Sequence, residues 1–274
     1  MHPVAFRNPF ARTSQPLHDV SRNASPAFLV VAVIPARYHS TRFPGKALAD
    51  IAGRPMVEHV YRRAAAARGV DAVVVATDDP RIAAAVERFG GIARMTRASH
   101  RSGLDRVAEV AADLDCPLVV NVQGDEPLVE PDMIAEVVAA LAGDPAVEMS
   151  TVCRRIAEPS EYTDPNVVKV VADRDGNALY FSRAPIPFER GGAAAPAYKH
   201  IGLYAYRRPF LLRLAALPQS PLEQAEALEQ LRVLEHGFRI RTVVTQHDSI
   251  GVDTPQDLER VRRHLEAGVG LPST

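Results

Sequence analysis

The chain predicts an α/β fold, a mostly parallel sheet with helices on both faces and a small strand-rich insert. Three observations lead there. Wholly apolar runs, "FLVVAVI", "DAVVVA" and "PLVVNV", read as strands buried on both faces. Segments with apolar residues at helical spacing lie between them, which makes a βαβα rhythm. That rhythm then gives way, from about residue 156 to 207, to "NVVKVVADRDGNALYFSRA" and "KHIGLYAYRR", which alternate like strands.

Each element has a local reason. After the first strand, "PMVEHVYRRAAAARG" repeats Met56, Val57, Val60 and Tyr61 on one helical face. "DAVVVA" is the second strand, and "DPRIAAAVERFGG" a helix stopped by Gly90. "SGLDRVAEVAADL" is a third helix, "PLVVNV" a third strand, and "PDMIAEVVAALAG" a helix with a terminal glycine. "EMSTVCRRI" opens the strand-rich part, in which "DRDGN" (Asp173 to Asn177) is a hairpin turn and "GGAAAPA" a mobile loop. "SPLEQAEALEQLRVLEHG" predicts one helix, with Ser220 as cap, Pro221 first, Glu223 completing a capping box and Gly237 last. "IRTVVT" is a closing strand, and "DTPQDLERVRRHLEAG" a helix capped by Thr254.

Composition narrows the partners. The 274 residues carry a formal net charge of −1, so no global field draws the chain to nucleic acid or an anionic membrane. No apolar run approaches the roughly 18 residues of a membrane span. The two cysteines, Cys116 and Cys153, have no metal-ligand spacing, which fits a reduced, cytoplasmic protein. Residues 1–27 lack an apolar face and predict a disordered extension; 28–268 form one domain and 269–274 a tail.

Open α/β sheets bind ligands beyond the carboxyl ends of their strands. The loop after the first strand, "IPARYHSTRFPGK", holds Arg37, Arg42 and Lys46 with Ser40 and Thr41, a set suited to a triphosphate. It is not a Walker loop, since Ser40 and Ala47 stand where glycine and a hydroxyl residue are needed. By itself it equally fits a solvated basic turn. The other strand ends present Thr77 and Asp78, Gln123 to Pro127, and Asp253 to Pro255. Asp125 and Asp253 suit Mg²⁺, a hard ion that bridges carboxylates to substrate phosphates. Each taken singly also fits a turn or helix-start acid. Together, beside the cationic loop, they point to metal-assisted nucleotidyl transfer.

These stretches resemble the 3-deoxy-D-manno-octulosonate (Kdo) cytidylyltransferase family. The similarity runs in order from about Phe28 to Leu265 through "IPARYHSTRFPGK", "ATDD", "QGDEP", "NVVKVV", "LYFSRAPIP", "KHIGLYAYR", "SPLEQAEALEQLR" and "GVDTPQDLERVR". It implies a glycosyltransferase-A-like nucleotidyltransferase fold, usually a homodimer formed through the insert. It implies CTP and Kdo as substrates and Mg²⁺ as cofactor, with CMP-Kdo for lipopolysaccharide and diphosphate as products. By resemblance Arg37, Ser40 and Lys46 hold the phosphates of CTP, and Arg37, Lys46, Asp125 and Asp253 form the catalytic set. Pro35, Ala36, Thr77, Asp78, Ser102 and Arg106 complete the CTP site. The metal ligands are Asp125 and Asp253. Gln123, Arg183, His200, Tyr204, Glu229 and Gln230 form the Kdo side. One departure is "SGLDR", where Leu104 replaces the family's usual hydroxyl residue. The competing readings are a cytidylyltransferase for another sugar acid (sialic acid or 8-amino-Kdo) and a non-catalytic nucleotide-binding module.

Overall fold

The computed structural model describes residues 29–40, 42–190 and 195–267. The expected N-terminal extension, the C-terminal tail, Thr41 and most of the "GGAAAPA" loop lie outside the described residues. In chain order the elements begin with β1 (Val30–Ala36), a 3-10 turn (Lys46–Leu48), and the short pair β2 (Asp50–Ile51) and β3 (Arg54–Pro55). Then come α1 (Met56–Ala66), β4 (Ala72–Thr77), α2 (Pro80–Arg88), β5 (Ile92–Met95), α3 (Gly103–Ala112) and β6 (Leu118–Asn121). The middle holds α4 (Pro131–Gly143), β7 (Met149–Arg155), α5 (Pro159–Thr163), β8 (Lys169–Ala172), β9 (Ala178–Ser182) and β10 (Tyr198–Arg207). The chain closes with α6 (Arg208–Ala215), α7 (Pro221–Glu226), α8 (Leu231–Glu235), β11 (Arg241–Thr245) and α9 (Pro255–Glu266).

The main sheet runs β11-β7-β10-β6-β1-β4-β5. Its neighbours are parallel except at β10, which lies antiparallel to both β6 and β7. The hairpin β8–β9 extends the sheet from the start of β10, as the Asp173–Asn177 turn predicts. Asp173 closes that turn by accepting the amides of Asp175 and Asn177.

The apolar runs form strands because both faces find a core. Val30, Ala32, Ile34 and Ala36 pack on the side of α1 and α4, while Val31 and Val33 pack with α3 and α6 on the other. That is the period of two expected of a strand, with neither face left polar. A third, smaller cluster joins Ile51 and Met56 to Val252, Leu258 and Val261 of the C-terminal segment. It anchors α9 against β2, just after the first loop, which brings Asp253 to that loop.

One expected element is different. The helix predicted from Ser220 to Gly237 is broken into α7 and α8, with Ala227 left-handed at φ 52° between them. The reason is a buried ion pair. Arg232 donates to both oxygens of Glu223, at 2.7 and 2.5 Å. In a straight helix nine residues make two and a half turns, which would put the two side chains on opposite faces. The break folds them together and turns the Leu228 to Gln230 segment toward the sheet edge. Helix α6, strand β5 and the short helix α5 were absent from the expectation.

Candidate active site

The loop after β1 is closed on itself. The Gly45 amide donates to the Tyr38 carbonyl at 2.8 Å, and the Tyr38 ring lies under the Arg81 guanidinium, 3.4 Å from centroid to Cζ. Gly45 has φ 75°, a conformation glycine adopts without steric cost, and a Cβ there would press on the Tyr38 ring at 3.2 Å. Arg81 is itself held by Asp79, whose carboxyl its guanidinium draws down to about 2. The loop is thereby braced from beneath, and its cations are aimed at the strand edge.

Lys46 is the centre of the arrangement. Its Nζ donates to Asp125 Oδ2 at 2.7 Å, to the Val252 carbonyl at 3.0 Å and to Asp253 Oδ1 at 3.2 Å. Arg42 reaches the other Asp253 oxygen at 3.0 Å. Asp253 is not the cap of α9. That task falls to Thr254 and to Asp257, whose carboxylate accepts the amides of both Asp253 and Thr254. The Asp253 carboxylate is left facing the loop. Asp125 is placed by Gly124, where an added Cβ would stand 2.6 Å from the Pro35 carbonyl oxygen. Only glycine lets the turn after β6 approach β1 so closely. Next to Asp125, burial and then the Asp125 charge push the Glu126 carboxyl up to about 7, and the Ser249 hydroxyl donates to it.

A cleft of about 590 Å³ opens over this cluster. Six Arg and Lys side chains and three carboxylates line it, so an anionic ligand meets a net positive wall. Of the residues expected at the site, Pro35, Ala36, Arg37, Ser40, Lys46, Ser102, Arg106, Gln123, Asp125, Arg183, Glu229 and Asp253 line it. A second cavity of about 150 Å³ adjoins it, sharing Gly103, Gln123, Ala227 and Glu229, and adds Tyr204, Gln230, Asn121 and Leu104. Burial, despite nearby Arg232, raises the Glu229 carboxyl above its ordinary value.

Three expected residues fall outside both linings. The Thr77 side chain is fully buried and its hydroxyl accepts the Asp79 amide. Asp78 is engaged by Arg106 at 3.0 Å and so acts on the cleft through that arginine. The His200 ring meets Phe181 edge-on and Tyr204 at a tilt of 43°, and its Nε2 lies 3.0 Å from the Thr151 hydroxyl. Ser102 lines the cleft, but its hydroxyl also caps α3 by accepting the Asp105 amide. Sequence reasoning missed His100, Arg101 and Asn121. The first two precede the Ser102 cap, and the proximity of a helix start to a phosphate loop was the available signal. Asn121 is buried with no partner for its carbonyl oxygen among the described residues.

Burial pushes the His200 imidazole down to about 3, so it is neutral at pH 7. The unfolded chain takes up a proton near pH 6.5, whereas the folded chain does not until about 3. Stability from this group is therefore fully present above about pH 6.5 and falls below it, by at most about 1.4 kcal/mol per pH unit. Melting of wild type and His200→Gln between pH 7.5 and 4.5 checks this. Wild type is expected to lose more on acidification; parallel curves would refute the neutral imidazole.

The two carboxylates also fit a divalent cation. Both present an oxygen to a single cationic nitrogen at 3.2 Å or less, beside a cleft open to phosphate oxygens. Among the described residues no group of three or more His, Cys, Asp or Glu could hold a metal. A site of two carboxylates completed by substrate phosphate and water is the usual provision for Mg²⁺.

Comparison with known proteins identifies the family. A family model described as cytidylyltransferase matches residues 31–240. The 3-deoxy-manno-octulosonate cytidylyltransferase of Geobacter sulfurreducens is 57% identical over 248 residues, covering 86% of this chain and 99% of the relative. That of Syntrophotalea carbinolica is 58% identical over 245 residues, covering 86% and 98%. A solved structure of CMP:2-keto-3-deoxy-manno-octonic acid synthetase complexed with CTP superposes with a TM-score of 0.85 at 47% identity, covering 88% of this chain and all of that one. No helix among the described residues is long and apolar enough to cross a membrane. With its braced cationic loop, its paired aspartates and these relatives, the chain belongs to the 3-deoxy-manno-octulosonate cytidylyltransferase family.

Proposed function

We propose that this enzyme transfers CMP from CTP to Kdo, giving CMP-Kdo and diphosphate for lipopolysaccharide synthesis. The observation that carries the reading is the convergence of Asp125, Asp253 and Lys46 at the floor of a cationic cleft. Arg37, Ser40 and Lys46 hold the phosphates, and Pro35 and Ala36 border the nucleoside. Gln123, Arg183, Tyr204, Glu229 and Gln230 take the sugar acid, whose carboxylate needs a cation such as Arg183. His200 backs Tyr204 as a neutral ring.

The anomeric hydroxyl of Kdo bonds to the α-phosphorus, the bond from that phosphorus to the bridging oxygen breaks, and diphosphate leaves with the electron pair. The hydroxyl proton passes to solvent or a neighbouring carboxylate. Both substrates are anions, so their approach is the main difficulty, and the Arg and Lys side chains reduce that repulsion while aligning the reacting atoms. When held by Asp125 and Asp253, Mg²⁺ supplies further neutralisation of phosphate charge. We place the reaction in the cytoplasm, where CTP is supplied. A two-fold homodimer formed through the insert is supported by the exposed Leu179 and Phe188, 61% and 84% accessible.

Diphosphate release with CTP across several sugar acids tests the assignment. Kdo is expected to turn over best, with little activity when ATP or GTP replaces CTP. Faster turnover of N-acetylneuraminate would sink the Kdo assignment and spare the reaction class. Sedimentation as a monomer would remove the dimer.

A further inference from the structure

The "NVVKVV" segment carries a charge that the reading above does not use. Lys169, the first residue of β8, is fully buried. Its Nζ donates to three main-chain carbonyls, of Asp164 at 2.8 Å, Val167 at 2.6 Å and Arg183 at 2.6 Å. An ammonium has three donors, and all three are placed. No carboxylate bonds it among the described residues, so the charge adds no ion pair there. If packing alone were at stake, an apolar side chain of the same length would fill the space without the cost of burying a cation.

What the three carbonyls have in common is Arg183. One is its own. The other two flank Pro165, whose carbonyl accepts Arg183 Nη1 at 3.0 Å. Arg183 Nε is seated on the Glu226 carbonyl at 2.8 Å, and the Arg183 amide on the Glu226 carboxylate at 2.9 Å. Both seats of the guanidinium are neutral carbonyls, which orient it without cancelling its charge. Its Nη2 donates to no described residue, and the side chain lines the cleft.

We propose that Lys169 is the positioning residue for Arg183: one buried ammonium fixes both the backbone of Arg183 and the loop that seats its guanidinium, setting the cation that receives the sugar-acid carboxylate. The proposal rests on the substrate assignment made above. It predicts a selective defect. Loss of the ammonium should loosen Arg183 and weaken the sugar acid, while the CTP side, built on the β1 loop and α3, is untouched.

The test uses the full chain and steady-state diphosphate release, with each substrate varied in turn. Lys169→Met is expected to raise KM for Kdo tenfold or more and to leave KM for CTP within twofold. Arg183→Ala is expected to raise KM for Kdo as well. Adding Lys169→Met to Arg183→Ala should then change KM for Kdo by less than twofold, because the lysine acts through the arginine. If Lys169→Met does not fold, Lys169→Arg replaces it. That variant keeps the charge and the donors but cannot converge three bonds on one nitrogen, and the same selective, Arg183-dependent rise is expected. An unchanged KM for Kdo, an equal rise for both substrates, or a rise that persists in the Arg183→Ala background overturns the proposal. Wild type that prefers another sugar acid sinks only the Kdo assignment, and the same cycle is then read with that acid. Wild type that accepts no sugar acid overturns both.

Discussion

Replacing Asp253 by Asn is expected to lower turnover by about 10² to 10³, the scale on which one preorganised electrostatic contact is lost, while stability stays nearly unchanged. Stability is spared because the start of α9 is capped by Thr254 and Asp257, and because Lys46 keeps both Asp125 and the Val252 carbonyl. Asp125→Asn should behave alike. The double variant should fall far short of the summed effects, since both carboxylates act on one cation position. Steady-state rates at saturating Mg²⁺ together with thermal melts decide the matter. A destabilised Asp253→Asn with near-normal turnover would make Asp253 a structural residue and move the cation position elsewhere.

Arg232→Met carries the largest expected cost in stability. Arg232 and Glu223 are 4% and 3% exposed, and removal of the guanidinium leaves a buried carboxylate with only the Ser220 amide as partner among the described residues. Such an unpaired charge costs about 3–5 kcal/mol. For a domain of this size that is a fall in Tm of roughly 10 °C. Replacing both members with apolar residues, Glu223→Leu and Arg232→Met, should recover much of the loss, since no charge then remains buried. A single variant melting within about 2 °C of wild type would show that Glu223 finds water instead. The loss should reach the site too, because the pair fixes the turn that bears Glu229 and Gln230.

That pair also shows where sequence reading stops. β1, β4 and β6 were legible because a strand buried on both faces must be apolar throughout, and the flanking helices because their stripes repeat at 3.6 residues. The cap at Thr254 was legible from neighbouring residues alone. The α7–α8 break was not. Every local preference from Ser220 to Gly237 favours one helix, and the left-handed Ala227 is imposed by a tertiary contact. Strand β5 is only four residues long and half exposed, too little for a pattern. At the site, the rule of strand ends located Lys46, Asp125 and Asp253, which the structure joins. The same rule put Thr77 and Asp78 at the cleft. There it says where a residue sits but not which way its side chain is spent, and one bonds within its own loop while the other serves Arg106. His100 and Arg101 lie after no main strand end in the pattern, so the rule was blind to them.

The partners of Lys46 lie 79, 206 and 207 positions along the chain. Such separations matter during synthesis. At roughly 5–20 residues per second the lysine is made some 10 to 40 seconds before Asp253. In the part of that interval after Asp125 has been made, β1, β4 and β6 can already pair, whereas the cation cluster has only one of its two acids. A ribosome stalled between Asp125 and α9 thus displays a nascent sheet without the complete cluster, which closes only when α9 docks.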